Sequence, residues 1–179
     1  MSANLYFGSF LNYFYNNILT HFPSHFIRKG FLRCFNKKID KDCVILMHSK
    51  FLNFWKIKIG KRVVINQHCL LDCRRYQIII EADTDIGPYT RIWTLGHQPD
   101  SPVHELYGND VRIGHHVWIA SGVTILPGVH LADGTVVAAA SLVHKSTNPK
   151  DIVAGNPAKF IRQRVNDLNY ELKYTPIFE

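Results

Sequence analysis

The chain has 179 residues, 46% of them hydrophobic, a size that suits one domain with extensions. Its net charge of +7 favours an anionic partner, which could be nucleic acid, a membrane surface or a phosphorylated cofactor. The four cysteines form no C-x-x-C pair and no zinc spacing, which argues against a disulfide framework or a zinc ribbon. Residues 1–26 lack both a secretory signal and an uninterrupted apolar run, so we expect a cytoplasmic protein.

Residues 1–40 are predicted to form an N-terminal extension of two short amphipathic helices. An apolar stripe at helical spacing comprises Phe7, Phe10, Leu11, Phe14 and Ile18. Pro23 and Ser24 then break this helix and could cap a second one. The apolar face could pack on the rest of the protein, the commoner arrangement, or lie in a membrane interface beside the nearby lysines and arginines. Peripheral membrane association therefore stays open beside the cytoplasmic location.

From about residue 57 onwards, aliphatic residues recur with a period of six. The unbroken series is Ile113, Ile119, Ile125, Leu131, Val137 and Val143. A six-residue step forms no stripe on an α-helix, so the pattern indicates a repeat architecture. It predicts a triangular parallel coil in which three hexads complete a turn and Ile113 stacks over Leu131, at the roughly 4.8 Å spacing of paired strands. We expect this all-β coil to span residues 41–150, with a C-terminal extension of residues 151–179.

The period is interrupted between Ile92 and Ile113. Residues 98–110 include prolines, a glycine and an asparagine, which predicts a protruding loop. Functional residues are often carried on loops held by a rigid scaffold, and His97 stands at the start of this one.

Four strings of the sequence resemble the hexapeptide-repeat acyltransferases, and particularly the branch of galactoside, maltose and polysaccharide O-acetyltransferases. They are IGPYTRIWTLGHQPDSP (86–102), IGHHVWIASGVTILPGV (113–129), VVAAASLVHK (136–145) and AGNPAKFIR (154–162). The resemblance implies a left-handed parallel β-helix, an exception to the right-handed crossover rule, and a homotrimer with active sites between subunits. It also implies acetyl-CoA as the donor, a sugar or polysaccharide precursor as the acceptor, and no metal.

His97, in the family's Gly-His motif, is the predicted general base. A neutral imidazole can accept a hydroxyl proton near neutral pH. The mechanism implied by the resemblance is direct transfer, in which His97 deprotonates the acceptor hydroxyl and the alkoxide attacks the thioester carbonyl. A backbone amide would stabilise the oxyanion.

The same resemblance assigns the binding residues. Donor contacts are expected at Trp118, Ser121, Ala139, His144, Lys145, Lys159 and Arg162, although His144 stands where threonine is usual. Acceptor contacts are expected at Asn66, Asp72, Tyr89 and Asp100. The lysines and the arginine could meet the phosphates of acetyl-CoA, or they could form a solvated surface. Trp118 could wall the acyl pocket or fill a subunit interface.

Two other functions use the same architecture. A γ-type carbonic anhydrase holds zinc with histidines on such a coil, but its H-x-x-x-x-H pair is missing here. A non-catalytic β-helix scaffold is the other alternative, and the combination of His97, Lys145 and Arg162 argues against it. Nucleic-acid binding has only the charge in its favour, so we expect no nucleic-acid partner.

Overall fold

The computed structural model describes residues 3–176, with side chains from Tyr6 onwards. Two helices open the chain, α1 (Ala3–Asn17) and α2 (His25–Phe35), with a 3-10 turn at Leu19–His21 between them. Ser24 occupies the N-cap of α2, so the predicted break and restart of the helix are confirmed. Within the described residues, neither helix has the length and apolar character needed to cross a membrane.

Short strands make up most of the remaining chain. In chain order they are β1 (Val44–Ile45), β2 (Lys50–Leu52), β3 (Ile57–Ile59), β4 (Val64–Ile65), β5 (Leu70–Asp72), β6 (Ile78–Ile80), β7 (Asp85–Ile86), β8 (Arg91–Trp93), β9 (Leu95–His97), β10 (Leu106–Gly108), β11 (Val111–Ile113), β12 (Trp118–Ile119), β13 (Thr124–Ile125), β14 (His130–Leu131), β15 (Val136–Val137), β16 (Leu142–Val143), β17 (Asp151–Gly155) and β18 (Ala158–Gln163). A second 3-10 turn, Phe54–Lys56, lies between β2 and β3.

The strands wind into a coil with three faces. Face 1 has the order β1-β4-β7-β12-β15-β17-β18, face 2 the order β2-β5-β8-β13-β16, and face 3 the order β3-β6-β11-β14. The strands of successive turns pair in parallel, whereas β9–β10 and β17–β18 are antiparallel hairpins. Ile113 pairs with Leu131 and Ile119 with Val137, as the hexad spacing predicted.

The chain changes face at three corners that run along the coil. The first corner, between faces 1 and 2, holds residues 46–49, 66–69, 87–90, 120–123 and 138–141. The second corner, between faces 2 and 3, holds residues 53–56, 73–77, 94–110 and 126–129, and residues 144–145 continue it after β16. The third corner, between faces 3 and 1, holds residues 60–63, 81–84, 114–117 and 132–135.

Aliphatic side chains fill the inside of the coil. On face 1 the fully buried column consists of Ile45, Ile65, Ile86, Ile119 and Val137. Burial of one such side chain contributes roughly 1.5–3 kcal/mol, so stacked columns stabilise a fold that has no second layer. The predicted core of the repeat is therefore confirmed.

The N-terminal helices cover the first turn of the coil, and only part of the predicted stripe faces it. Leu11 and Tyr15 are buried, whereas Phe7, Phe10 and Ile18 are more than half exposed. A pair of hydrogen bonds between the Asn16 side chain and the backbone of Phe51, of 2.8 and 2.9 Å, fixes the rotation of α1 about its axis. The predicted packing face was therefore only partly right: Leu11 is buried, but α1 is rotated so that the outer part of the stripe is exposed.

The C-terminal residues return along the third corner. Arg164 Nη1 donates to the carbonyl oxygens of His116 (2.8 Å) and Gly134 (3.2 Å), which belong to successive turns. Further along, the Leu172 amide donates to Asp83 Oδ1 at 3.0 Å. This segment ties several turns of the coil together.

Candidate functional site

His97 ends β9 in the hairpin that replaces the predicted loop. Leu95, Gly96 and His97 pair with Gly108, Tyr107 and Leu106. The intervening turn is closed by the Gln98 amide, which donates to the Glu105 carbonyl at 2.9 Å. Ser101 Oγ accepts the Glu105 amide at 3.1 Å. The excursion is thus an ordered hairpin that holds His97 on the second corner.

The environment of His97 defines which ring nitrogen is free. Its Nδ1 lies 2.9 Å from the carbonyl oxygen of His104, and the two imidazoles stack with centroids 3.7 Å apart. A carbonyl oxygen only accepts, so Nδ1 carries the hydrogen and the lone pair lies on Nε2. The side chain is exposed, and Nε2 is therefore placed to accept a proton from a bound molecule.

Two of the predicted donor contacts meet at the first corner. Ser121 and Ala139 occupy the same position in successive turns, and the Ala140 amide donates to the Ser121 carbonyl at 2.9 Å. Lys159 pairs with Ala154 in the hairpin of β17 and β18. Ala154 lies towards the C-terminal end of β17, on the side of face 1 that borders the first corner. Small side chains leave room here for a ligand that runs along the coil.

The other predicted donor contacts lie elsewhere. His144 and Lys145 follow β16 on the second corner, the corner that also carries the His97 hairpin, and both are exposed. Arg162 pairs with Ile152 at the end of face 1, where its Nη1 contacts only the carbonyl of Gln163 among the described residues. Trp118 stands outward on face 1, about half exposed at 49%. The chain therefore spreads the predicted donor residues over the first corner, the second corner and face 1.

The predicted acceptor residues occupy three different surroundings. Asn66 donates to Asp85 Oδ1 at 2.9 Å on the first corner, and Tyr89 stacks on His68 nearby. Asp100 is exposed in the turn of the His97 hairpin. Asp72 is fully buried and both of its oxygens accept hydrogen bonds from Arg74, so an acceptor could reach this carboxylate only after the ion pair opens.

Sequence reasoning missed Asp85, the partner of Asn66. Burial raises the pKa of the Asp85 carboxyl, and the hydrogen bond from Asn66 offsets part of that rise. The carboxyl sits outward on face 1, paired in register with Val64 and Trp118. The sequence does contain a signal for Asp85. In every other parallel strand of face 1, the residue just before the inward aliphatic side chain is apolar.

The described residues form no cluster of metal-ligating side chains. Over residues 3–176, no three histidine, cysteine or acidic groups lie close enough together to hold one metal ion.

No protein-family model matches the chain, but known proteins resemble it in sequence and in structure. A protein from Lysinibacillus sphaericus, described as a macrolide acetyltransferase, is 49% identical over 63% of this chain, and the match spans 66% of its own length, just under two thirds. The colanic acid biosynthesis acetyltransferase WcaF of Escherichia coli K12 is 34% identical over 77% of this chain and 75% of its own. The chain belongs to the hexapeptide-repeat acetyltransferases.

The solved structures agree with this membership. A galactoside acetyltransferase in complex with coenzyme A superposes with a TM-score of 0.80 at 26% identity, covering 97% of this chain and 92% of its own. The predicted family, the acyltransferase class and the left-handed parallel β-helix are thereby confirmed for this hexapeptide-repeat acetyltransferase.

Proposed function

We propose that the protein transfers acetyl from acetyl-CoA to a sugar hydroxyl, with His97 as the general base. The observation that carries this proposal is the hydrogen bond from His97 Nδ1 to the His104 carbonyl, which leaves Nε2 free on an exposed ring. Nε2 takes the hydroxyl proton while the oxygen bonds to the thioester carbon. The tetrahedral intermediate then expels the CoA thiolate, which recovers the proton from His97.

The donor assignment is supported by the relatives and by the shape of the first corner. The galactoside enzyme binds coenzyme A, and Ser121 and Ala139 offer the small side chains that a pantetheine arm needs in order to approach the backbone. Lys145, Lys159 and Arg162 are exposed cations that could meet its phosphates.

The split between the corners supports a shared site in a homotrimer. The His97 hairpin lies on the second corner, whereas Ser121 and Ala139 lie on the first, at the opposite edge of face 2. A neighbouring copy would bring its first corner to this hairpin. Co-expression of a His97→Asn chain with a Ser121→Trp chain should restore part of the activity that each loses alone, because mixed trimers contain one intact site. A fully active monomer in a sedimentation experiment would contradict the arrangement.

The surface of α1 supports peripheral membrane contact. Tyr6, Phe7, Phe10 and Tyr13 are about 60% exposed, and no acidic residue precedes Asp40 in the sequence. Aromatic and cationic side chains together favour an anionic bilayer surface. Co-sedimentation with phosphatidylglycerol vesicles should weaken in a Phe10→Ser variant, and equal binding would contradict this contact.

The reaction is tested by thiol release from acetyl-CoA against a panel of saccharides, with the acetylated hydroxyl located by NMR. A macrolide belongs in the same panel, since the relative that is 49% identical is described as acting on macrolides. Release that depends on a saccharide supports the proposal. Release with the macrolide alone would replace the sugar by another alcohol, and no release with any hydroxyl would overturn it.

A further inference from the structure

An apolar cavity lies between α1 and the start of the second corner. Its volume is about 630 Å³, within the range of small-molecule sites. The apolar part of its lining comes from Phe7, Leu11, Phe35 and Trp55, and the cations Lys56 and Arg74 also line it. Nothing in the acetyl transfer described above uses this cavity.

A second cavity of about 330 Å³ shares residues with the first and is more polar. Arg74 of the first lining is already paired with Asp72, so its charge is compensated. Trp55 and Lys56 line both, while Lys38 and Arg75 add two further cations to the second. Lys56, which lines both cavities, donates from Nζ to the carbonyl of Arg75 in the second lining at 2.7 Å. Asp110, the one acidic residue of this lining, already accepts the Gln77 amide at 2.8 Å. The second cavity therefore suits an anion such as a phosphate.

The second cavity reaches the base of the His97 hairpin. Tyr76 lines it and packs against Gly108, where an added Cβ would lie 2.6 Å from Tyr76 Cε2. The Asn109 amide donates to the Thr94 carbonyl at 3.1 Å, so the hairpin starts and ends at this point of the second corner. Along the corner the order is apolar cavity, cationic cavity, hairpin.

We infer that the acceptor is a sugar joined through a phosphate to an apolar chain. The chain occupies the apolar cavity, Lys56 and Arg75 hold the phosphate, and the sugar extends towards the His97 hairpin. This inference rests on the proposed acetyl transfer to a sugar and names the class of acceptor. A membrane phospholipid shares the apolar chain and the phosphate, but it would place no hydroxyl-bearing sugar beside His97.

Binding to the full-length protein is measured first, by calorimetry with decyl phosphate. Phe7→Ser and Arg75→Gln should each weaken binding at least about tenfold, because one removes apolar contact and the other a phosphate partner. Phe26→Ser and Lys61→Gln are matched controls on exposed residues outside both cavities, and they should bind as the wild type does. If all four variants bind decyl phosphate as tightly as the wild type does, the inference is overturned.

Transfer is measured next, with glucose 1-phosphate and its decyl ester as acceptors. The decyl chain should raise kcat/KM at least about tenfold in the wild type and much less in Phe7→Ser, since each buried methylene adds up to about fourfold. Equal kcat/KM for the two acceptors would overturn the inference while the proposed function survives, because both sugars are still acetylated. Phosphatidylglycerol binding with the same dependence on Phe7 and Arg75, together with no gain from the decyl chain, would assign the cavities to a membrane lipid instead.

Discussion

His97 and His104 form one unit: the first donates its Nδ1 hydrogen to the carbonyl of the second at 2.9 Å, and their rings stack. His104 adopts a left-handed backbone with φ of 52°, which turns its carbonyl towards the imidazole. The His97 imidazole is therefore oriented by the hairpin that carries it, through a backbone carbonyl.

Replacement of His97 by asparagine should lower kcat for acetyl transfer by at least about 100-fold, because the proton acceptor is lost. The thermal unfolding midpoint should stay within a degree or two of the wild type, since the ring is exposed. Thiol release and calorimetry measure the two quantities. His115→Asn, at an exposed histidine on the third corner, is the control, and near-normal turnover by the His97 variant would contradict the mechanism.

Arg162→Ala should weaken CoA binding about tenfold with a smaller change in kcat, because a phosphate contact acts in the ground state and the transition state alike. Calorimetric titration with CoA at low and high salt measures the affinity, and the variant should show the smaller salt dependence. Arg112→Ala removes an exposed charge from face 3 and should bind CoA normally. An unchanged affinity in Arg162→Ala would refute its phosphate role.

Ile119→Ala should lower the free energy of unfolding by about 2–5 kcal/mol, because the side chain is fully buried between Ile86 and Val137 in the stacked column. Ile79→Ala, at an outward and half-buried position on face 3, should cost less than about 1.5 kcal/mol. Urea denaturation measures both values, and equal losses would contradict the inward and outward assignment.

Asp83 should make stability depend on pH. Burial alone would raise its pKa, but hydrogen bonds from Arg62 and the Leu172 amide hold it below the usual range. Because the folded pKa is lowered, this contribution is present above about pH 4, the unfolded value, and is lost as pH falls through the folded pKa.

Asp83→Asn keeps an acceptor for Leu172 but removes the charge. At pH 7 it should lower the unfolding midpoint by roughly 5 °C, and the difference from the wild type should shrink at pH 3. Asp167→Asn, at an exposed carboxylate, is the control. A difference that is the same at both pH values would contradict the linkage.

The regular part of the fold could be predicted because its signal is periodic. The spacing of Ile113, Ile119 and Leu131 dictates which residues stack, and the pairing follows it. The His97–His104 contact could not be predicted in this way, since it depends on a left-handed residue in an aperiodic hairpin. The two cavities beside Trp55 likewise arise where residues 53–56 depart from the hexad and α1 packs over them.

The first turn of the coil and the last strand of face 1 each carry a covering that opposes further parallel strand addition. At one end α1 and α2 pack over the first turn, and at the other β18 folds back antiparallel on β17, which ends face 1. A stack of parallel strands with open edges is a template for end-to-end polymerisation into fibres. The helices and the last hairpin thus limit the length of a repeat that could otherwise be extended. Truncation of either would expose strand edges that can pair with another chain.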